Sequence, residues 1–128
     1  MLRAKRISLL IAAMVVTGVA IAQVPAIKRT LLQRADLGDG REAILGMAEI
    51  PGAGATGRHT HFGIETGYVA EGTMTLEIEG EAARNLKAGE SYTIPAGRIH
   101  NATATGGGAK VIATYIVDKD KPLATPAP

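Results

Sequence analysis

Turn-forming clusters interrupt this chain at short intervals: Gly38-Asp39-Gly40, Pro51 to Gly54, Glu71-Gly72, Glu79-Gly80, Ala88-Gly89, Pro95-Ala96-Gly97 and Gly106-Gly107-Gly108. Glycine and proline punctuate secondary structure because one admits left-handed backbone and the other removes an amide donor. Most of the stretches between the clusters are too short for a stable helix. Several alternate in polarity instead. Met74, Leu76 and Ile78 set against Thr75, Glu77 and Glu79 have the period of a half-buried strand. Val111 to Val117, rich in β-branched residues, reads as a strand buried more fully. Many short strands joined by glycine-rich turns predict an all-β sandwich or barrel. On the same pattern Glu77, Glu79 and Glu81 form a solvated strand face, and Gly106 to Gly108 form a flexible hairpin turn, since no helical pattern follows to make a phosphate loop.

The first 22 residues read as an address. Arg3, Lys5 and Arg6 precede the uncharged run Ile7 to Ala22, which ends in Ala20-Ile21-Ala22. This is the layout of a secretory signal with cleavage after Ala22. A retained anchor is the less favoured alternative: a spanning helix needs ~20 apolar residues, and this shorter run contains Thr17 and Gly18. The expected location is the periplasm or the cell exterior, with no membrane association after cleavage. The expected organisation is a signal peptide over 1–22, one β domain over 23–120 and a flexible Pro/Ala-rich tail over 121–128.

Cleavage changes the charge balance. Three of the 14 basic residues lie in the signal and none of the 12 acidic ones does, so a net charge of +2 becomes about −1. With no basic cluster and few aromatics, nothing supports nucleic-acid binding. The chain has no cysteine, which excludes disulfides and a thiol nucleophile.

All three histidines fall in one pattern, His59-x-His61 with Glu65 four residues on and His100 thirty-nine residues past His61. Imidazoles and a carboxylate form a donor set that first-row divalent metals accept. On a strand, residues i and i+2 share a face, so His59 and His61 are aimed into one cavity. His100 must arrive from a distant strand.

The spacing resembles the cupin superfamily, specifically small single-domain cupins of the type-2, conserved-barrel kind. That family's first motif has His-x-His, three or four residues, Glu, six residues and Gly, matched here by His59, His61, Glu65 and Gly72. Its second has Gly, five residues, Pro-x-Gly, two residues and His, matched by Gly89, Pro95, Gly97 and His100. Two departures stand out: Gly52 or Gly54 replaces a glycine five residues before the first histidine, and Ala104 occupies a slot for asparagine, with Asn101 directly after His100. The resemblance implies a single jelly-roll β-barrel holding one divalent metal on His59, His61, Glu65 and His100.

Fe or Mn suits this mixed nitrogen and oxygen set, while Ni, Co, Cu and Zn stay open because ligand identity discriminates poorly. Four protein ligands leave two positions of a six-coordinate ion for a small organic substrate, and the family includes dioxygenases, other enzymes and non-catalytic binding proteins. The expectation is an exported metal-dependent oxidoreductase of the dioxygenase type, with a metal- or metabolite-binding module as the alternative and a structural role as a third. Glu65, if it leaves the metal, is the candidate acid or base, with Tyr68, Tyr92 and Tyr115 behind it. Phe62, Met47 and Met74 are candidates for the cavity wall. The resemblance also allows a homodimer in which residues 27–34 exchange as an edge strand.

Overall fold

In the computed structural model, residues 25–128 are described; the expected signal at 1–22 lies outside them. The described residues form strands and loops without a helix: β1 (Lys28–Gly38), β2 (Arg41–Pro51), β3 (His59–Thr60), β4 (Gly63–Ile78), β5 (Arg84–Lys87), β6 (Ser91–Ile94), β7 (His100–Asp118) and β8 (Thr125–Pro126). All pairings are antiparallel. Strand β7 is the hub, flanked by β4 along one edge and by β2 and then β3 along the other. β1 and β8 extend the β7 side, and β5 and β6 pair with β4.

Expected turns at 38–40, 79–80, 88–89 and 95–97 are turns or lie beside them. Two glycine clusters behave differently. Glu71-Gly72 and Gly106 to Gly108 lie inside β4 and β7, so the expected hairpin turn at 106–108 is instead a corner within a continuous strand. The need for a corner follows from lengths. His100 and Tyr115 are fifteen residues apart on one strand, a separation of roughly 50 Å if it ran straight. Yet both rings lie 4.9 Å, centre to centre, from the ring of His61. The β4–β7 ribbon therefore curls back on itself, where its register shifts between Val69 and Thr73. Gly72, at φ 75°, faces Gly108 across this corner, and a Cβ on Gly72 would collide with the Gly108 carbonyl group, 2.9 Å from its carbon. A bulkier residue would force the two backbones apart.

Inside the curl, alternation decides burial. Met74, Leu76 and Ile78 point inward and join Ile50, Val69 and Ile94 in the core, while Glu77, Glu79 and Glu81 are exposed. Val111, Ala113 and Val117 are buried and no residue from Lys110 to Val117 is exposed, because β7 lies between two neighbours.

Residues 121–128 depart from the expected flexible tail. Thr125 and Pro126 pair with Thr60 and His59, and the Ala127 amide donates to the Arg58 carbonyl. Composition predicts disorder from a lack of apolar side chains, whereas this contact is made by main-chain groups on the open edge of β3.

Candidate functional site

The inner face of the curl carries the histidine cluster. His59 opens β3 and pairs directly with His100 at the start of β7, and His61 follows as the chain leaves β3. Glu65, on β4, faces Tyr115 of β7 on one side and Ile94 of β6 on the other. His61, Glu65 and His100 are 5%, 5% and 4% exposed, and His59 is half-buried. One ligand nitrogen from each of the three histidines lies within 4.8 Å of the others, close enough to hold a metal ion.

Main-chain carbonyls set the protonation pattern. Nδ1 of His59 donates to Gly57, Nδ1 of His61 to Leu123 and Nδ1 of His100 to Arg98. A carbonyl oxygen only accepts, so each Nδ1 must carry the proton and each neutral ring presents a lone pair at Nε2. Nε2 of His61 lies 3.0 Å from Glu65 Oε2, and Nε2 of His100 lies 3.3 Å from the same oxygen, buried and without a well-aligned hydrogen-bond partner. Neutral imidazoles and a carboxylate at these distances would face lone pair to lone pair. Positive charge resolves the conflict, either as protons on the rings or as one cation among them.

Glu65 is also held from its other oxygen, where the Tyr92 hydroxyl donates to Oε1 at 2.8 Å. Burial pushes the carboxyl up, but hydrogen bonds from His100 and His61, which only protonated rings can donate, and from Tyr92 outweigh it and hold it at about 2. Burial, reinforced by the Glu65 charge, raises the Tyr92 hydroxyl well above its ordinary range. Tyr115 is raised chiefly by burial and then by Glu65, against the opposing field of Arg29. Burial likewise lowers His59, with its Gly57 hydrogen bond acting in the opposite sense. The Tyr92 ring reaches Glu65 by lying over Gly67, directly opposite on β4. A Cβ at Gly67 would stand 2.5 Å from Tyr92 Cε1, deep inside contact distance.

The cluster opens into a cavity of about 580 Å³. Ile44, Met47, Ile50, Leu76, Val111 and Ala113 are among its lining residues, beside Tyr92 and Tyr115. Of the candidate wall residues, Met47 takes part; Met74 is 1% exposed in the core, and Phe62 lies outside the cavity with the Lys121 ammonium 5.2 Å from its ring centre. Tyr68 points outward and is exposed. Asn101 is no ligand: its amide donates to Glu77 and to Thr103. Two supports were not foreseen, the Leu123 carbonyl behind His61 and the bond from Tyr92 to Glu65. The second had a faint signal, because alternation in Ser91-Tyr92-Thr93-Ile94 puts Tyr92 and Ile94 on one face.

Comparison with known proteins places these features in a family. A family profile described as "Cupin domain" matches residues 46–117, more than half of the chain. A search of curated proteins finds no match. Among solved structures, a cupin-2 domain from Rhodospirillum rubrum superposes with a TM-score of 0.64 at 14% identity, covering 80% of this chain and 66% of that one. A cupin superfamily protein from Desulfitobacterium hafniense gives 0.62 at 14% identity, with 76% and 83% covered. A recombinant oxalate oxidase in complex with glycolate gives 0.63 at 21% identity, covering 78% of this chain and 54% of the oxidase. At these identities the likeness concerns the fold.

Proposed function

The chain belongs to the cupin domain family, and from that premise we propose that it is a small exported metal protein: one divalent first-row ion on His59, His61, His100 and Glu65, beside a cavity for a small organic substrate. The observation that carries this reading is the convergence of donors. Three Nδ1–H groups are spent on carbonyls, which leaves three Nε2 lone pairs in one cluster, those of His61 and His100 against a buried carboxylate with no proton donor between them when the rings are neutral.

The donor set favours Fe(II) or Mn(II), and such an ion would supply Lewis-acid or redox chemistry to a substrate in its open positions. The protein's own part is orientation and exclusion of water. Carbonyl partners fix all three ring planes, Tyr92 fixes the carboxylate, and the apolar wall leaves few competing polar groups. We assign the reaction to the dioxygenase type of oxidoreductase, a chemistry that needs no nucleophilic side chain. The oxalate oxidase shares this fold, so redox catalysis is within the scaffold's reach. Export through residues 1–22 to the periplasm or cell exterior belongs to the same proposal.

One observation favours the second reading, ligand capture without turnover. The Tyr92 hydroxyl is pushed up by burial and spent on Glu65 Oε1, so it is not poised to exchange a proton near neutrality. Glu65 serves as base only if it leaves its partners.

Elemental analysis of residues 23–128, purified without added metal, tests the site. Near-stoichiometric Fe or Mn is expected, absent from the His59→Ala/His61→Ala variant; wild-type protein that neither carries metal nor gains thermal stability from added Mn(II) would refute it. Oxygen uptake by the loaded protein against catechols, flavonols and β-diketones then separates the two readings: turnover supports the oxidoreductase, and tight retention without product supports the binding module.

A further inference from the structure

Three arginines, Arg29, Arg34 and Arg58, are among the residues that line the cavity. Two are committed. Arg34 Nε lies 3.4 Å from Glu42, and Arg58 donates to Glu79 at 3.0 Å and to the Pro128 carbonyl at 2.6 Å. Arg29 has no carboxylate partner among the described residues.

Strand register sets Arg29 at the end of a row of cavity-lining residues. Arg29 lies opposite Ala48 and Leu31 opposite Gly46, and both β2 residues line the cavity. Directly opposed residues share a face. The rows continue onto β7, where Ala48 meets Val111, Gly46 meets Ala113 and Ile44 meets Tyr115, itself opposite Glu65. One wall therefore begins at Arg29, runs over Leu31, Val111 and Ala113, and ends at Tyr115 beside His61. An apolar wall with a single uncompensated cation at one end is complementary to an amphipathic anion. The planar guanidinium fork matches a planar carboxylate in two parallel hydrogen bonds.

We propose that Arg29 is the recognition residue for a small carboxylate-bearing substrate, which lies along this wall with its other end at the His59, His61 and His100 cluster. The placement of that other end rests on the metal reading above; recognition of the carboxylate is Arg29's own.

Calorimetric titration of the mature chain, Mn(II)-loaded and chelator-treated, with butanoate and hexanoate beside butanamide and hexanamide, tests it. The wild type is expected to prefer each acid to its amide. Arg29→Gln should weaken the acids at least tenfold while changing the amides less than twofold, and Arg29→Lys, which keeps the charge, should recover part of the loss. Arg29 is exposed, and circular dichroism verifies that both variants fold. No preference for acids in the wild type, or full acid affinity in Arg29→Gln, overturns the proposal. Metal content of the same samples keeps the two readings apart: a chain that takes up no Mn(II) yet binds acids through Arg29 refutes the metal site alone, and stoichiometric Mn(II) without Arg29 dependence refutes this inference alone.

Discussion

The contact of Tyr92 with Gly67 offers a perturbation whose size follows from the geometry. A Cβ at position 67 would lie 2.5 Å from Tyr92 Cε1, on a rigid ring whose hydroxyl is anchored to Glu65 at 2.8 Å. Gly67→Ala must therefore displace the ring. Overpacking a well-filled interior costs about 1–3 kcal/mol. Withdrawing the hydroxyl from a buried carboxylate adds about 1.5–3 kcal/mol, the value of a hydrogen bond to a charged group. A combined loss of about 2.5–6 kcal/mol lowers Tm by about 10 °C or more in a domain of this size. Tyr92→Phe, which keeps the ring and removes only the hydroxyl, should show the second part alone. In a Tyr92→Leu background, where the side chain stops short of the clashing ring atoms, Gly67→Ala should cost less than about 1 kcal/mol more. Urea unfolding followed by circular dichroism is the assay, since the chain has no tryptophan. Equal penalties for Gly67→Ala in the two backgrounds, or none in the wild type, would refute the claim that this glycine exists to seat Tyr92.

Two further outcomes follow from the site. In metal-free protein the folded Glu65 carboxyl titrates at about 2 against an ordinary 4.5, so it contributes on the order of 3 kcal/mol that is fully present above pH 4.5 and lost as pH falls through about 2. His59, lowered by burial, acts in the same sense, starting below its ordinary 6.5; Glu65→Gln should flatten the acid limb of a stability-versus-pH curve, and an unchanged limb would contradict the assignment. Truncation after Lys121 removes the Leu123 carbonyl from His61 and should weaken Mn(II) binding about 10- to 100-fold. Unaltered affinity in a competition titration would show that this segment does not orient the ring.

The parts of the molecule legible in the sequence are those where chemistry is local. Histidine spacing and the alternation of Met74, Leu76 and Ile78 are properties of short segments, and both reappear as a face of the cluster and a row of the core. The misread parts depend on partners far along the chain. Met74 faces the core and Met47 the cavity, a distinction set by which strand lies opposite. Gly106 to Gly108 looked like a hairpin turn because glycine signals a change of direction without saying whether pairing stops; here both strands bend together and their ladder continues. The docking of residues 121–128 was hidden for a different reason: main-chain groups make it, and they are the same in every residue.

The carbonyl of Leu123 behind His61 has a consequence in time. His59, His61 and Glu65 sit within seven residues of one another, but His100 and Leu123 join them only when β7 and the last residues have found their places. An unfolded chain is therefore a poor judge of metals, offering a loose local pair to whichever ion binds imidazole most tightly. On the proposed metal reading, discrimination would begin when residue 123 reaches residue 61, and the ion kept would be decided by the surroundings in which the chain finishes folding.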